Sequence, residues 1–182
     1  MLQGKRLILR PLTEADVTDQ YIAWLNDPEV NRFLETRFER HDAATVARFV
    51  RDKMDSPTDH LFGMFLDHGQ RHIGNIKLGP VNVHHATAPI SLFIGNKTAW
   101  GKGYAQEAIA LVTRFGFMDK GLHKLEAGCY EHNQGSRRAF EKCGFLVEGT
   151  LKSHRVSEGE RTDVILLGLT RDRWVSTHAT DS

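Results

Sequence analysis

The sequence has little that would fit it to a membrane, a disulfide scaffold or a nucleic acid. No apolar run approaches the roughly 20 residues needed to span a bilayer. The opening MLQGKRLILRPL lacks the apolar stretch of a secretory leader. Only two cysteines occur, Cys129 and Cys143, too few for a disulfide framework. Basic and acidic side chains nearly cancel, 24 against 23, so there is no basic excess to neutralise a phosphate backbone. Internal repeats and low-complexity stretches are also missing. These absences predict a cytoplasmic protein with neither nucleic-acid nor membrane partners.

What is present fits one globular domain. The 182 residues, 40% hydrophobic and 26% charged, suffice for a core that folds alone. RLILRPL (6–12) reads as a strand. Thr13 reads as a helix cap, followed by Val17, Tyr21, Trp24 and Leu25 at helical spacing and a stop at Asn26-Asp27-Pro28. A second helix is expected from Asp42, with Ala43, Val46, Ala47, Val50 and Met54 as its apolar stripe. Strands follow at 60–67, 72–81 and 88–96, then a helix from 104 to 120, a strand at 124–130 and a helix from 133 to 143 closed by Gly144. Two last strands, 145–152 and 162–169, are joined through Ser157-Glu158-Gly159-Glu160. The fold class is α/β (α+β), a mixed sandwich in one domain.

The most informative segment is LFIGNKTAWGKGYAQEA, where a strand runs through Gly101-Lys102-Gly103 straight into a helix. Glycines permit positive φ and the close approach of a ligand. The first amides of a helix lack internal partners and sit at the positive end of its dipole, which suits a pyrophosphate. A dinucleotide fingerprint fails here, because Gln106 stands where its third glycine belongs. A phosphate-binding P-loop fails too, because Gly103 rather than Ser or Thr follows Lys102.

WGKGYAQEAI after an Ile-Gly-terminated strand, followed by NQGSRRAFEKCGF, resembles the GNAT superfamily of N-acetyltransferases. With RLILRPLTEAD and WLNDPEV near the start, the chain looks most like the RimJ/RimL-like branch. The resemblance covers about 6–169 and implies a GNAT-like domain over 6–170 with a tail over 171–182. It implies a mostly antiparallel seven-stranded sheet flanked by about four helices, and acetyl-CoA as the acetyl donor, with no metal. It also implies that Trp100, Gly101, Lys102, Gly103, Tyr104 and Ala105 grip the CoA pyrophosphate. Leu92, Phe93 and Ile94 would pair with the pantetheine arm, and Asn133 and Ser136 would reach the thioester end. One departure is Thr98, where the family often has Arg or Gln. A second is Phe140, at the position of the tyrosine that many members use to protonate the departing thiolate. Ser136, Tyr130 or water would then have to serve.

The chemistry sets modest demands. A primary amine of pKa near 10 is free base in roughly one part per thousand at neutral pH, which costs about 4 kcal/mol to reverse. Attack on a thioester builds an oxyanion that a strand amide near Phe93 or Ile94 would stabilise. Candidates for the base are Glu131, kept among the catalytic residues, His132 and the pair His84-His85, each of which reads better as a surface or structural residue, and adjacent side chains in an extended loop point apart, which argues against a metal. Cys129 alternates with Ala127 and reads as a small buried strand residue. Acceptor-side candidates are Asn26, Asn31, Phe33, Asn75 and Asn82, with Asp27, Arg32 and Lys77 near them. Trp24 falls on the apolar helix face and reads as core. The resemblance implies a small amine or amino sugar first as acceptor and a peptide N-terminus second, with a non-catalytic acetyl-CoA-binding module as the rival reading. They leave open an exchange of the tail strands across a homodimer.

Overall fold

The computed structural model describes residues 1–178. In chain order the elements are β1 (Leu2–Gln3), β2 (Ile8–Pro11), α1 (Asp19–Asn26), α2 (Ala43–Asp55), β3 (His60–Leu66), β4 (Arg71–Leu78), β5 (Thr87–Ile94), α3 (Tyr104–Arg114), β6 (Lys124–Tyr130), α4 (Gln134–Lys142), β7 (Leu146–Ser157), β8 (Glu160–Thr170) and α5 (Arg171–His178). The strands form one sheet in the order β1-β2-β3-β4-β5-β6-β8-β7. Every neighbouring pair is antiparallel except β5 and β6.

Eight strands replace the expected seven because Leu2 and Gln3 add a short edge against Leu9 and Ile8. The first helix begins later than expected. Thr13 closes a capping box on the single turn Glu14–Asp16, and Thr18 caps α1 by accepting the Tyr21 N–H. At α2 the start holds: Asp42 accepts the Thr45 N–H and the Thr45 hydroxyl makes the reciprocal contact with the Asp42 backbone, but of the expected stripe Val46 and Val50 are buried while Ala43 and Met54 are exposed at the helix's two ends. The helix expected to reach 120 is α-helical only to Arg114 and finishes as a wider π turn, Phe115–Asp119. The final hairpin is longer than expected, and β7 is exposed over most of its length as the sheet edge.

Alternation along the strands divides the buried side chains between two faces. On one, Leu9, Met64, Ile76, Leu78, Ile90, Leu125 and Ala127 pack against Ile109 and Val112 of α3 and Phe140 of α4. On the other, Phe65 joins Tyr21, Trp24 and Leu25 of α1 and Val46 and Val50 of α2. Each fully buried side chain of this size adds about 1.5–3 kcal/mol. Helix α5, within the expected tail, lays Trp174 against Phe117 with ring centres 5.6 Å apart. The last residues of that tail, 179–182, lie outside the described residues.

Close strand approach sets one glycine. A Cβ on Gly74 would fall 2.3 Å from the Phe93 carbonyl oxygen and 2.8 Å from the Ile94 Cα, both backbone atoms that cannot swing aside. Gly74→Ala is expected to destabilise the protein by about 1–3 kcal/mol. At Gly149 in β7 no atom lies within 4 Å of an added Cβ, and Gly149→Ala should stay within about 0.5 kcal/mol of the parent. Chemical denaturation of the two variants checks the contrast.

Candidate active site

The parallel pair β5–β6 is short. Its register runs Thr87↔Lys124, Ala88↔Leu125, Pro89↔Glu126 and ends there. Beyond it β5 stays paired with β4 as far as Ile94, and β6 stays paired with β8 as far as Tyr130. The two strands therefore part into a V that opens toward their C-terminal ends, with Phe93 and Tyr130 level across it.

Backbone polarity inside the V follows from the bonds on the far side of β5. The Pro89 carbonyl accepts the Gly79 N–H, and the Gly95 N–H donates to the Ile73 carbonyl. Odd-numbered residues, Phe93 among them, thus turn their backbone toward β4, and Ile90, Leu92 and Ile94 turn theirs into the opening. The Ile94 carbonyl is satisfied there by the Trp100 indole N–H at 2.8 Å. The amides of Leu92 and Ile94 face the opening as donors. Of the two oxyanion candidates, the Ile94 amide is therefore oriented for the task and the Phe93 amide is not.

Just past the open end of β5 lies the glycine turn. Gly101 has φ 72° and Gly103, at the N-cap of α3, has φ 81°, a region that side chains with a Cβ rarely adopt. Two residues the sequence did not single out hold it. Arg6 donates from Nη1 to the Lys102 carbonyl at 2.8 Å, and its guanidinium lies 4.6 Å from the centre of the Tyr104 ring. Glu107 accepts the backbone N–H groups of Arg6 and Leu7 at 2.7 and 3.1 Å and the Arg6 Nε at 2.9 Å. Burial works to raise the Glu107 pKa, but the Arg6 donors outweigh it and hold the carboxyl below its usual range. The pair spans about a hundred residues of sequence, so no local motif announces it.

On the α4 side, Asn133 caps the helix by accepting the Ser136 N–H at 3.2 Å, and Ser136 is half-buried in the first turn. Phe140 is only 2% exposed and meets Phe145 edge-on at 5.1 Å in the main core. Phe140, where the resemblance implied a tyrosine, is a core packing residue.

Tyr130 belongs to the opposite face. Its ring lies 5.8 Å from Phe33 and 5.0 Å from the Arg37 guanidinium, and its hydroxyl donates to Glu35 Oε1 at 2.5 Å. Burial and then the Glu35 bond raise the phenol pKa, and Arg37 opposes them. Glu131 and His132 are in the exposed turn that follows β6. Asn31 is buried, donates to the Leu25 carbonyl at 2.8 Å and lines a cleft of about 560 Å³ with Arg32, Arg37 and Glu158. This cleft lies beside Tyr130 and outside the V.

The remaining acceptor-side candidates are occupied elsewhere. Asn26 ties α1 to the segment before α2 through its bonds with Ile22 and both backbone groups of His41. Asn82 organises a turn at the closed end of the V, accepting the His84 and His85 N–H groups. Asp27 pairs with Lys97, Arg32 with Glu158, and Lys77 with Asp59. Asn75, 3% exposed and opposite Phe93, bonds His72 Nε2 through its Oδ1 at 2.7 Å, and its Nδ2 has no hydrogen-bond partner among the described residues. His72 Nε2 faces two acceptors, this oxygen and the Gly74 carbonyl, so that nitrogen carries the proton.

Comparison with known proteins places this geometry. The family model for the acetyltransferase (GNAT) domain matches residues 6–146. A SPbeta prophage-derived N-acetyltransferase of Bacillus subtilis, YokL, is 37% identical over 175 residues, 96% of each chain. An N-acetyltransferase of Bacillus licheniformis, p20, is 28% identical over 172 residues, 92% of this chain and 94% of that one. Among solved structures, the spermidine N-acetyltransferase of Vibrio cholerae in complex with CoA and spermine superposes with a TM-score of 0.84 at 21% identity, covering 94% of this chain and 99% of the other. A GNAT-family acetyltransferase of Bacillus anthracis superposes with a TM-score of 0.81 at 23% identity, covering 94% and 98%.

Cys129 is buried, and Cys143 is half-buried with its Sγ donating to the Gln106 carbonyl. Burial raises the Cys129 pKa and pushes that of Cys143 up to about 11, and neither has an activating base. In the folded protein at pH 7.5, Ellman's reagent should label neither cysteine within minutes and both on unfolding. Rapid labelling of the native protein would contradict this.

Proposed function

Since the chain belongs to the GNAT acetyltransferase family, we propose that it transfers the acetyl group of acetyl-CoA to the primary amine of a small molecule by direct attack on the thioester. The observation that carries this reading is the V between β5 and β6, with two strand amides facing into it and a glycine-built helix N-terminus at its mouth. The residues present suit acetyl-CoA. Amides from Gly101 to Ala105 and the α3 dipole take the pyrophosphate, Arg6 and Glu107 fix the turn, and the Leu92 backbone bonds the pantetheine arm as an added strand would. Bound acetyl-CoA supplies an activated acetyl group. The Ile94 amide stabilises the oxyanion, a contribution of the order of 10²–10³ in rate for one such donor. Asn133 and Ser136 flank the sulfur, and Ser136 donates to it as it leaves. Positioning carries the rest.

A small amine or amino sugar leads as acceptor. Spermidine N-acetyltransferases among the structural neighbours act on a small polyamine. The RimJ/RimL-like opening of the chain favours a peptide N-terminus as the second reading.

Thiol release from acetyl-CoA against a panel of polyamines, amino sugars and short peptides tests the reading. Turnover with a small amine is expected. Binding of acetyl-CoA without turnover on any member would leave a non-catalytic module instead. Gly103→Ala, which places a methyl group at φ 81° inside the turn, should weaken acetyl-CoA binding at least tenfold by calorimetry while circular dichroism is unchanged. A folded variant with parental affinity would remove the turn from the cofactor site.

A further inference from the structure

Tyr130 ends β6 on the face away from α4. Alternation along β6 sends Ala127 and Cys129 into the core beneath α3 and α4, and sends Tyr130 to the side that carries the first two helices. Its register level with Phe93 places it across the V from the strand amides. The hydroxyl spends its one proton on Glu35, from the turn between α1 and α2, so it has none to offer a thiolate on the other face. What the oxygen does offer is lone pairs, on the side of the sheet where the cleft of about 560 Å³ opens. Guanidinium groups surround the pair. Arg37 lies 5.0 Å from the phenol ring, with its own N–H groups engaged by the Leu34 and Val156 carbonyls. Arg155 approaches Glu35 at 3.5 Å from β7, and Arg32 lies over Phe33 with Glu158 as its partner.

We propose that Tyr130 is the catalytic residue that deprotonates the acceptor amine, and that Glu35 is the positioning residue that receives the proton through it. The inference rests on the acetyltransferase reading above. The acceptor ammonium gives one proton to the Tyr130 oxygen as the phenolic proton moves to the Glu35 carboxylate. The nitrogen lone pair then forms the C–N bond to the thioester carbon. When the C–S bond breaks, the second proton lost from nitrogen goes to the departing sulfur, so free thiol and amide are the products.

Two conservative variants test it, Tyr130→Phe, which keeps the buried ring, and Glu35→Gln, which keeps an acceptor for the hydroxyl but cannot hold its proton. Each should lower kcat/KM for the acceptor by about 10²-fold at neutral pH, within the range of general-base catalysis. The double variant should lose little more than either single one, and acetyl-CoA affinity should stay within twofold. The loss should shrink as pH rises toward the amine's own pKa of about 10, where free base no longer needs making. A second readout needs no cofactor. With ¹³C-labelled tyrosine, Glu35→Gln should lower the pKa of the Tyr130 phenol, because a neighbouring negative charge has gone. Losses under threefold, losses that are constant with pH, or an unmoved phenol titration would overturn the proposal. If the parent protein turns over no amine at all, the acetyltransferase reading itself has failed. Turnover by the parent with unaffected variants sinks only the proton path.

Discussion

Strands β5 and β6 share backbone pairing over three residue pairs and then separate, and the site follows from that separation. Each strand is anchored on its other flank along its whole open length, β5 by β4 and β6 by β8. Neither can lean across to close the gap without breaking a ladder. The result is a pair of strand edges that an ordinary sheet would not tolerate, because unpaired buried backbone groups cost about as much as lost hydrogen bonds. Here the Trp100 indole satisfies one of them, the Ile94 carbonyl, and the amides facing the opening are left for a ligand that resembles a strand. A slot of this kind is specific for extended amide-bearing chains.

The two faces of the sheet divide the labour. The face under α3 and α4 carries the glycine turn, Asn133 and Ser136, with Arg6 and Glu107 bracing the turn from the N-terminal strand region. On the face under α1 and α2 are Tyr130, Phe33 and Glu35, with a cleft beside them. In the proposed mechanism, nucleophile and leaving group have separate approaches that meet through the V. This arrangement explains how Phe140 can serve as core packing without emptying the site of chemistry.

Much of this was legible in the residues. Period-two and period-3.6 patterns located the six long strands β3 to β8 and the helices α2, α3 and α4, because burial imposes those periods directly. The glycine turn was legible because positive φ is chemically restrictive. Position of the first helix was not: Thr13 and Thr18 both satisfy a cap, and only packing of Tyr21 and Trp24 decides between them. Asn26 looked like a free polar group and proved to be a tie between two segments. Glu35 and Arg6 could not be found at all from local pattern. Their partners lie 95 and 101 residues away, and an exposed-looking Glu or Arg has no signature until the chain has folded.

The central claim is that the parted strands are the cofactor slot, and amide hydrogen exchange reads it at the atoms concerned. Without ligand, the Leu92 and Ile94 amides should exchange faster than the Ser91 and Phe93 amides, which β4 protects. Saturating acetyl-CoA should slow exchange at Leu92, Ile94 and the amides of 101–105 by at least tenfold and leave β7 unchanged. If acetyl-CoA binds and these amides exchange as before, the cofactor lies elsewhere and the account is wrong.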